Sequence, residues 1–366
     1  MGNELFLQTM RDPLGVPFYP IVFQGLSVMT FALHIIFVNL VVGGTIVAIW
    51  GHFSQHEWMR KLSRSLARIT TINISIAIVL GVAPLLFVQV VYDPLWYSSN
   101  VISAWWTMVF LAVLIIGALS MYVFYLRRKG GQQRAGLFGL ITICCLLVAA
   151  TIIHALSMQA LHPELWQGWI FGGTDMDTSG WGLHAIEIGR LFHFLAPALV
   201  NTGIFLMLYA WYFEKRDDVD MMELQLVANL GRKLAFYAAL VTALVGLWWL
   251  LFLPESLSFM TDPTIHSGIL LSLILIAVLY RAGRAPSQYA LLCGLFSFLT
   301  VFIMTISRES LRMAYLKPFS YSIYDYPQTT DWGSTILFLA TFLAGVGVVV
   351  YLVRIAFNAG RGEYAA

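Results

Sequence analysis

Along this chain the polar residues are gathered into short clusters, and between them run long stretches of almost uninterrupted Leu, Ile, Val, Phe and Ala. Nine such runs stand out, at 25–50, 72–91, 102–126, 137–158, 188–213, 234–253, 265–280, 290–306 and 336–355. A helix needs about 20 apolar residues to cross the hydrocarbon core of a bilayer. The pattern therefore predicts an all-α integral membrane protein with nine transmembrane helices in a single polytopic domain. No internal repeat is visible, which speaks against an inverted-repeat transporter. The connections 159–182 and 307–332 are long for loops and are expected to carry short helices on the membrane surface.

Composition agrees. The 366 residues are 59% hydrophobic and 11% charged, with a mean hydropathy of +0.79. Soluble chains carry about 25% charged residues, and a soluble protein of this size could not bury so much apolar surface. The net charge of +2 and the lack of a basic patch exclude a nucleic-acid partner. Cys144, Cys145 and Cys293 all lie in apolar runs. They form no disulfide framework, zinc spacing or CxxCH haem attachment.

The charges between runs alternate. HEWMRKLSR follows the first run, RRKGGQQR the third, FEKRDD the fifth and RAGR the seventh, and RIAFNAGR closes the ninth. The loops 92–101, 159–182 and 254–264 hold no Lys or Arg. By the positive-inside rule the N-terminus lies outside and the C-terminus in the cytoplasm, in a cell inner (cytoplasmic) membrane. Only the connection from the eighth run to the ninth breaks the pattern, with Arg308, Arg312 and Lys317. Trp96, Tyr97, Trp166, Trp169, Trp181, Tyr321, Tyr324 and Tyr326 crowd the outer loops, as an interfacial belt or as a docking face for a partner.

Polar side chains inside spans are costly and point to function. His34, His154, His193 and His266 lie in or at the edge of the first, fourth, fifth and seventh runs. With the N-terminus outside, all four fall within about two helical turns of the outer surface, at a rise of about 1.5 Å per residue. Haem iron in a helical bundle takes axial imidazoles from facing helices, so four histidines in one layer suit two b haems. The plainer alternative is that each imidazole only bonds a neighbouring carbonyl. Arg190 lies one turn before His193, and Arg308 and Arg312 sit at the same outer level. Haem propionates would answer these guanidiniums; so would Glu309, Asp325 or Asp331. Glu187 can pair with Arg190 or accept a quinol proton, and His184 can reach a quinone or a propionate.

At these residues the chain resembles subunit I of the cytochrome bd quinol oxidases. FALHIIFVNLVVGG in the first run and LFHFLAPALVNTGIFLMLYAWYFEKRD in the fifth carry the likeness. The resemblance implies that His34 serves one haem and that His193 is an axial ligand of the low-spin b haem. Where the family supplies a methionine from the seventh helix, this chain offers His266. It also departs from the family. The third run, WWTMVFLAVLIIGALSMYVFYL, has no acidic residue where the family carries glutamates; the loop 254–264 is short; and SRESLRMAYL matches the family's eighth-helix motif only loosely, through Glu309. His154 has no counterpart.

The resulting expectation is a b-type haem subunit that moves electrons between membrane quinone and an outer-face cytochrome c or iron–sulfur partner. A further membrane subunit would complete the complex. His193 and His266 would hold one haem, and His34 and His154 a second; the pairings His34–His266 and His193–His154 remain open. The alternatives are a haem-free quinone-binding anchor resembling the polysulfide-reductase membrane subunit, a transporter, or a true quinol:oxygen oxidoreductase.

The topology is tested by a cysteine placed at Arg134 in a background without Cys144, Cys145 and Cys293. It should react with an impermeant maleimide only from the cytoplasmic side; labelling from outside would reverse the orientation.

Overall fold

A peptide chain inside lipid must satisfy its own backbone, which leaves helices as the economical solution for apolar runs of this length. The computed structural model describes residues 7, 9–129, 134–172, 176–216 and 218–360. Parts of the basic loop 127–134, the FEKRDD loop and the tail 361–366 lie outside the described residues. The helices are α1 (Pro20–Phe53), α2 (Glu57–Val91), α3 (Asp93–Ile102), α4 (Ala104–Lys129), α5 (Ala135–Gln159), α6 (Trp166–Phe171), α7 (Ile188–Leu195), α8 (Pro197–Phe213), α9 (Met221–Leu251), α10 (Pro263–Arg281), α11 (Pro286–Leu316) and α12 (Trp332–Gly360). With α7 and α8 taken as one broken span, nine helices among the described residues are long and apolar enough to cross a membrane.

Several helices outrun the apolar stretches that announce them. α2 starts at Glu57 and α9 at Met221, more than ten residues before the expected spans at 72 and 234. Their early turns are charged, and Lys61 pairs with Glu223 at 2.6 Å. Both helices therefore project from the same end of the bundle. Asp220 caps α9, accepting from the Met222 and Glu223 amides, the usual means of satisfying first-turn donors. The fifth span breaks at Pro197, which has no N–H to donate to the preceding turn. The break leaves α7 as a short separate segment carrying Arg190 and His193.

The spans pack as neighbouring pairs: α1 with α2, α4 with α5, α8 with α9 and α10 with α11. α1 also packs on α8, α5 and α11, and α8 on α11, which places α1 and α8 at the centre. Small residues permit these approaches, as is general where lipid removes the hydrophobic drive for association. A Cβ at Gly43 would lie 2.4 Å from the Ala198 carbonyl oxygen. One at Gly203 would lie 2.5 Å from both the Ala235 nitrogen and the Gly231 oxygen. α12 stands at the periphery, with its described side chains largely exposed.

One end of the bundle carries a cap. Its core includes Tyr92, Leu95, Trp166, Trp249, Leu311, Tyr321 and Tyr326. The segment before α1 is tied to the loop before α12: Val16 donates to the Pro327 carbonyl at 2.9 Å and Thr329 to the Val16 carbonyl at 3.1 Å. Gly15 has a φ of +71°, and a Cβ there would fall 1.9 Å from the Pro327 oxygen, so this turn requires glycine. The connection 159–187 contains α6, and the connection after α11 contains short 3-10 turns at Lys317–Phe319 and Ile323–Asp325.

Gly203→Ala should lower the thermal unfolding midpoint in detergent by several degrees, because backbone atoms on α9 cannot give way; overpacking of this kind costs about 1–3 kcal/mol. Gly25→Ala, where nothing lies within 4 Å of the added carbon, should leave the midpoint unchanged.

Candidate functional site

The cap covers a layer of charged and aromatic side chains inside the ends of the spans. Its floor is on α5 and α7. Glu187 is the N-cap residue of α7, in extended conformation. Its backbone N–H donates to His154 Nε2 at 3.1 Å, and its Oε1 accepts from the indole of Trp249 at 2.5 Å. Glu187 Oε2 is buried and has no hydrogen-bond partner among the described residues. The Trp249 ring stacks on His193, with centroids 5.4 Å apart. Arg190, 5% exposed, donates to the Met158 thioether at 3.0 Å and lies 5.8 Å from the Trp249 ring centroid. His154, Glu187, Arg190 and His193 thus form one connected group, with Trp249 and Met158 between them.

α11 contributes the second part. Arg312 donates to Glu309 at 2.9 Å, and both are buried. The other oxygen of Glu309 accepts a short hydrogen bond from the Tyr92 hydroxyl, and Arg312 also lies over the Tyr92 ring at 4.6 Å. Arg308 is placed differently. It lies 4.2 Å from the Phe31 ring centroid and, like Arg190, has no ion pair among the described residues. Phe31 in turn neighbours His34, centroids 6.2 Å apart. Of the three acids that could have answered these arginines, Glu309 takes Arg312. Asp331 instead bonds Ser334 and the start of α12.

The four histidines differ in what they offer. A metal-bound imidazole usually donates its second nitrogen to a carbonyl or carboxylate. His34 Nδ1 meets the Ala77 carbonyl at 2.9 Å, and the ring lies along α2. Gly81 makes room for that ring, since a Cβ there would stand 2.7 Å from His34 Cε1. His266 Nδ1 meets the Asp262 carbonyl at 2.9 Å, at the exposed start of α10. His193 turns Cε1 and Nδ1 toward Gly246 of α9, where a Cβ would lie 2.8 Å from the ring. Its Nδ1 is buried without a hydrogen bond of good geometry. His154 is the exception: its Nε2 already accepts the Glu187 amide. No described contact joins His193 to His266.

Several determinants are not visible in the spacing of histidines. Gln159, fully buried, holds the loop in place: its Oε1 accepts from the His184 amide at 2.7 Å and from Ser103 at 3.1 Å. Ala185 adopts a φ of +53° between His184 and Glu187, a left-handed conformation that non-glycine residues take at a cost of about 1 kcal/mol or more. The His184 ring lies flat on Trp169, centroids 4.8 Å apart at 5°. A second hydrogen-bonded string joins Asp93, Tyr326 and Tyr321, the two tyrosine hydroxyls standing 2.7 Å apart. Arg11 lies over both tyrosine rings, at 4.2 and 4.6 Å. The sequence signals for these features were a glutamine ending an apolar run and a Trp-Trp pair ending another.

No family model matches the chain, and no curated protein matches its sequence. In fold it is similar to the solved bd oxidase from Geobacillus thermodenitrificans, with a TM-score of 0.69 at 13% identity, covering 93% of this chain and 98% of that one. The all-helical multi-pass membrane fold expected from the resemblance is therefore the fold observed.

Partial burial holds His184 below the ordinary histidine value, against an opposing pull from Asp177. A depressed histidine contributes stability that is complete above its unfolded value near 6.5 and is lost as pH falls through the folded value. His184→Gln should flatten that acid-side loss in the thermal midpoint measured between pH 7 and pH 5. An unchanged slope would assign the loss to another group.

Proposed function

We propose that this chain is a b-haem electron-transfer subunit linked to membrane quinone, built on the fold it shares with bd oxidase. The observation that carries the reading is that two buried arginines of the layer lack a carboxylate within ion-pair distance, with Glu187 and Glu309 acting on them only from further away. Arg190 and Arg308 are held among aromatic rings and a thioether, next to three imidazoles, with no carboxylate paired to either. Buried guanidiniums require anionic partners, and two haem propionates have the charge and the bidentate geometry to serve.

The residues fit such a group. His193 and His266 would hold the iron of one haem, each with its Nδ1 side turned into protein. His34 is assigned to a second, with its tautomer set by Ala77. His154 can join it only by releasing the Glu187 amide. Arg190, Arg308 and Arg312 would receive propionates. When bound, b haem would supply reversible one-electron transfer. The protein's own part is to fix the imidazoles, balance charge and keep water out with the aromatic cap. Glu187, with one oxygen unpartnered, and His184 at the surface are the groups placed to take up the protons released when a quinol is oxidised nearby.

The membrane is assigned as the cell inner membrane and the charged layer to its outer side. An outer-face cytochrome c or iron–sulfur protein would exchange electrons across the aromatic cap, and another membrane subunit would complete the complex. The engagement of His154 by Glu187 favours one competing reading, a haem-free quinone-binding anchor.

The purified chain, expressed with ample haem, should give a pyridine haemochrome of b type with no c or d component, and its reduced form should bind carbon monoxide slowly or not at all. His193→Ala and His266→Ala should each remove the same low-spin electron paramagnetic resonance signal and spare the one lost in His34→Ala. A colourless protein would favour the anchor. Separate signals lost in the first two variants would break their pairing.

A further inference from the structure

A cleft of about 540 Å³ opens beside α3 and α6, and Leu7 and Met10 of the N-terminal segment close one side. Its walls are mainly apolar, and its rim carries Tyr97, Val101 and Phe171, all more than half exposed. Such a rim suits entry from the lipid side of the interface. The polar groups in the lining are Ser98, Glu164 and Gln167, with no Lys or Arg among them. Glu164 is bound by His162 Nδ1 at 2.9 Å, and both side chains remain partly accessible.

This chemistry selects among amphipathic ligands. A phospholipid phosphate would meet the Glu164 carboxylate, with no Lys or Arg in the lining to offset it. A quinol headgroup brings two hydroxyl donors, which a carboxylate and an amide oxygen can accept, and an aromatic ring that suits walls of Trp166, Ile170 and Tyr97. The cleft is also wired to the charged layer. The His162 ring packs edge-on against Tyr315, centroids 5.3 Å apart. Tyr315 is buried on α11, within electrostatic reach of Glu187 and Arg190.

We infer that this cleft is a quinol-binding site, with the ring seated between α3 and α6 and one hydroxyl donating to the Glu164 carboxylate that His162 orients. The inference rests on the quinone-linked reading above and places the headgroup apart from His184. His162 and Tyr315 then separate the headgroup from the Glu187–Arg190 group by only two rings.

The probe is an azido-substituted short-chain quinol, photolysed on the purified full chain in detergent and mapped by mass spectrometry. Label should fall in residues 93–102 and 163–171 and be displaced by unlabelled quinol. Ser98→Trp, which fills the cleft, should reduce labelling by about tenfold or more, and Glu164→Gln should weaken the quinol form by roughly tenfold through loss of a charge-assisted bond. Labelling concentrated at 184–193, or displacement by an anionic phospholipid at equal concentration, would overturn the inference. Label in the cleft of a chain that carries no haem would uphold the site while removing the haem reading, so the two failures are distinguishable.

Discussion

The structure turns on positive charge enclosed at one end of an apolar bundle. A guanidinium taken out of water loses several kcal/mol of solvation, which a nearby opposite charge recovers only with good geometry. Arg312 has that geometry with Glu309, and Tyr92 occupies the second carboxylate oxygen. Arg190 and Arg308 have a thioether and aromatic faces instead. A cation over an aromatic ring gains about 0.5–2 kcal/mol, less than a buried ion pair. A protein with no use for these charges would be more stable with apolar residues of the same volume. On the reading proposed above, haem propionates would supply the opposite charge these arginines lack.

The rest of the fold keeps that layer in register. α1 and α8 meet at glycine with almost no side chain between them, which brings the helix of His34 against the span that α7 and His193 begin. Pro197 separates α7 from α8 and lets Arg190 and His193 be aimed independently of the long helix below. Gln159 then ties the end of α5 to the loop that delivers His184 and Glu187. The loop accepts a left-handed alanine at Ala185 to do so. A short, strained approach held by one buried amide is a plausible cost where Glu187 must present its backbone N–H to His154 and its carboxylate to Trp249 at once.

Much of this was legible beforehand. Apolar run length alone located the nine spans, since lipid allows few other structures for such runs. It under-measured α2 and α9, because charged residues such as Arg60, Lys61, Arg64 and Glu223 end a hydrophobic run without ending a helix. The four histidines and three arginines were visible as costly residues in or beside the spans. What they touch was not. Trp249, Met158, Tyr92 and Tyr315 look like ordinary core or interfacial residues in a chain this aromatic, and only long-range packing makes them neighbours of the layer. The His162–Glu164 pair was lost for the opposite reason, since a histidine in a polar loop reads as solvated until a cleft forms behind it.

The imidazoles carry the argument one step further. Three of them, His34, His193 and His266, turn Nδ1 toward protein, two of these on backbone carbonyls. A carbonyl accepts only from a protonated nitrogen, so Nδ1 is the donor in both His34 and His266. A bundle that merely needed hydrogen bonds to hold helices together could satisfy either nitrogen. His154 shows that arrangement, with Nε2 facing an amide donor. The histidines are thus of two kinds: His34 and His266 with Nδ1 on a carbonyl, and His154 accepting the Glu187 amide. On the haem reading proposed above, the first kind would serve the iron and the second would orient Glu187.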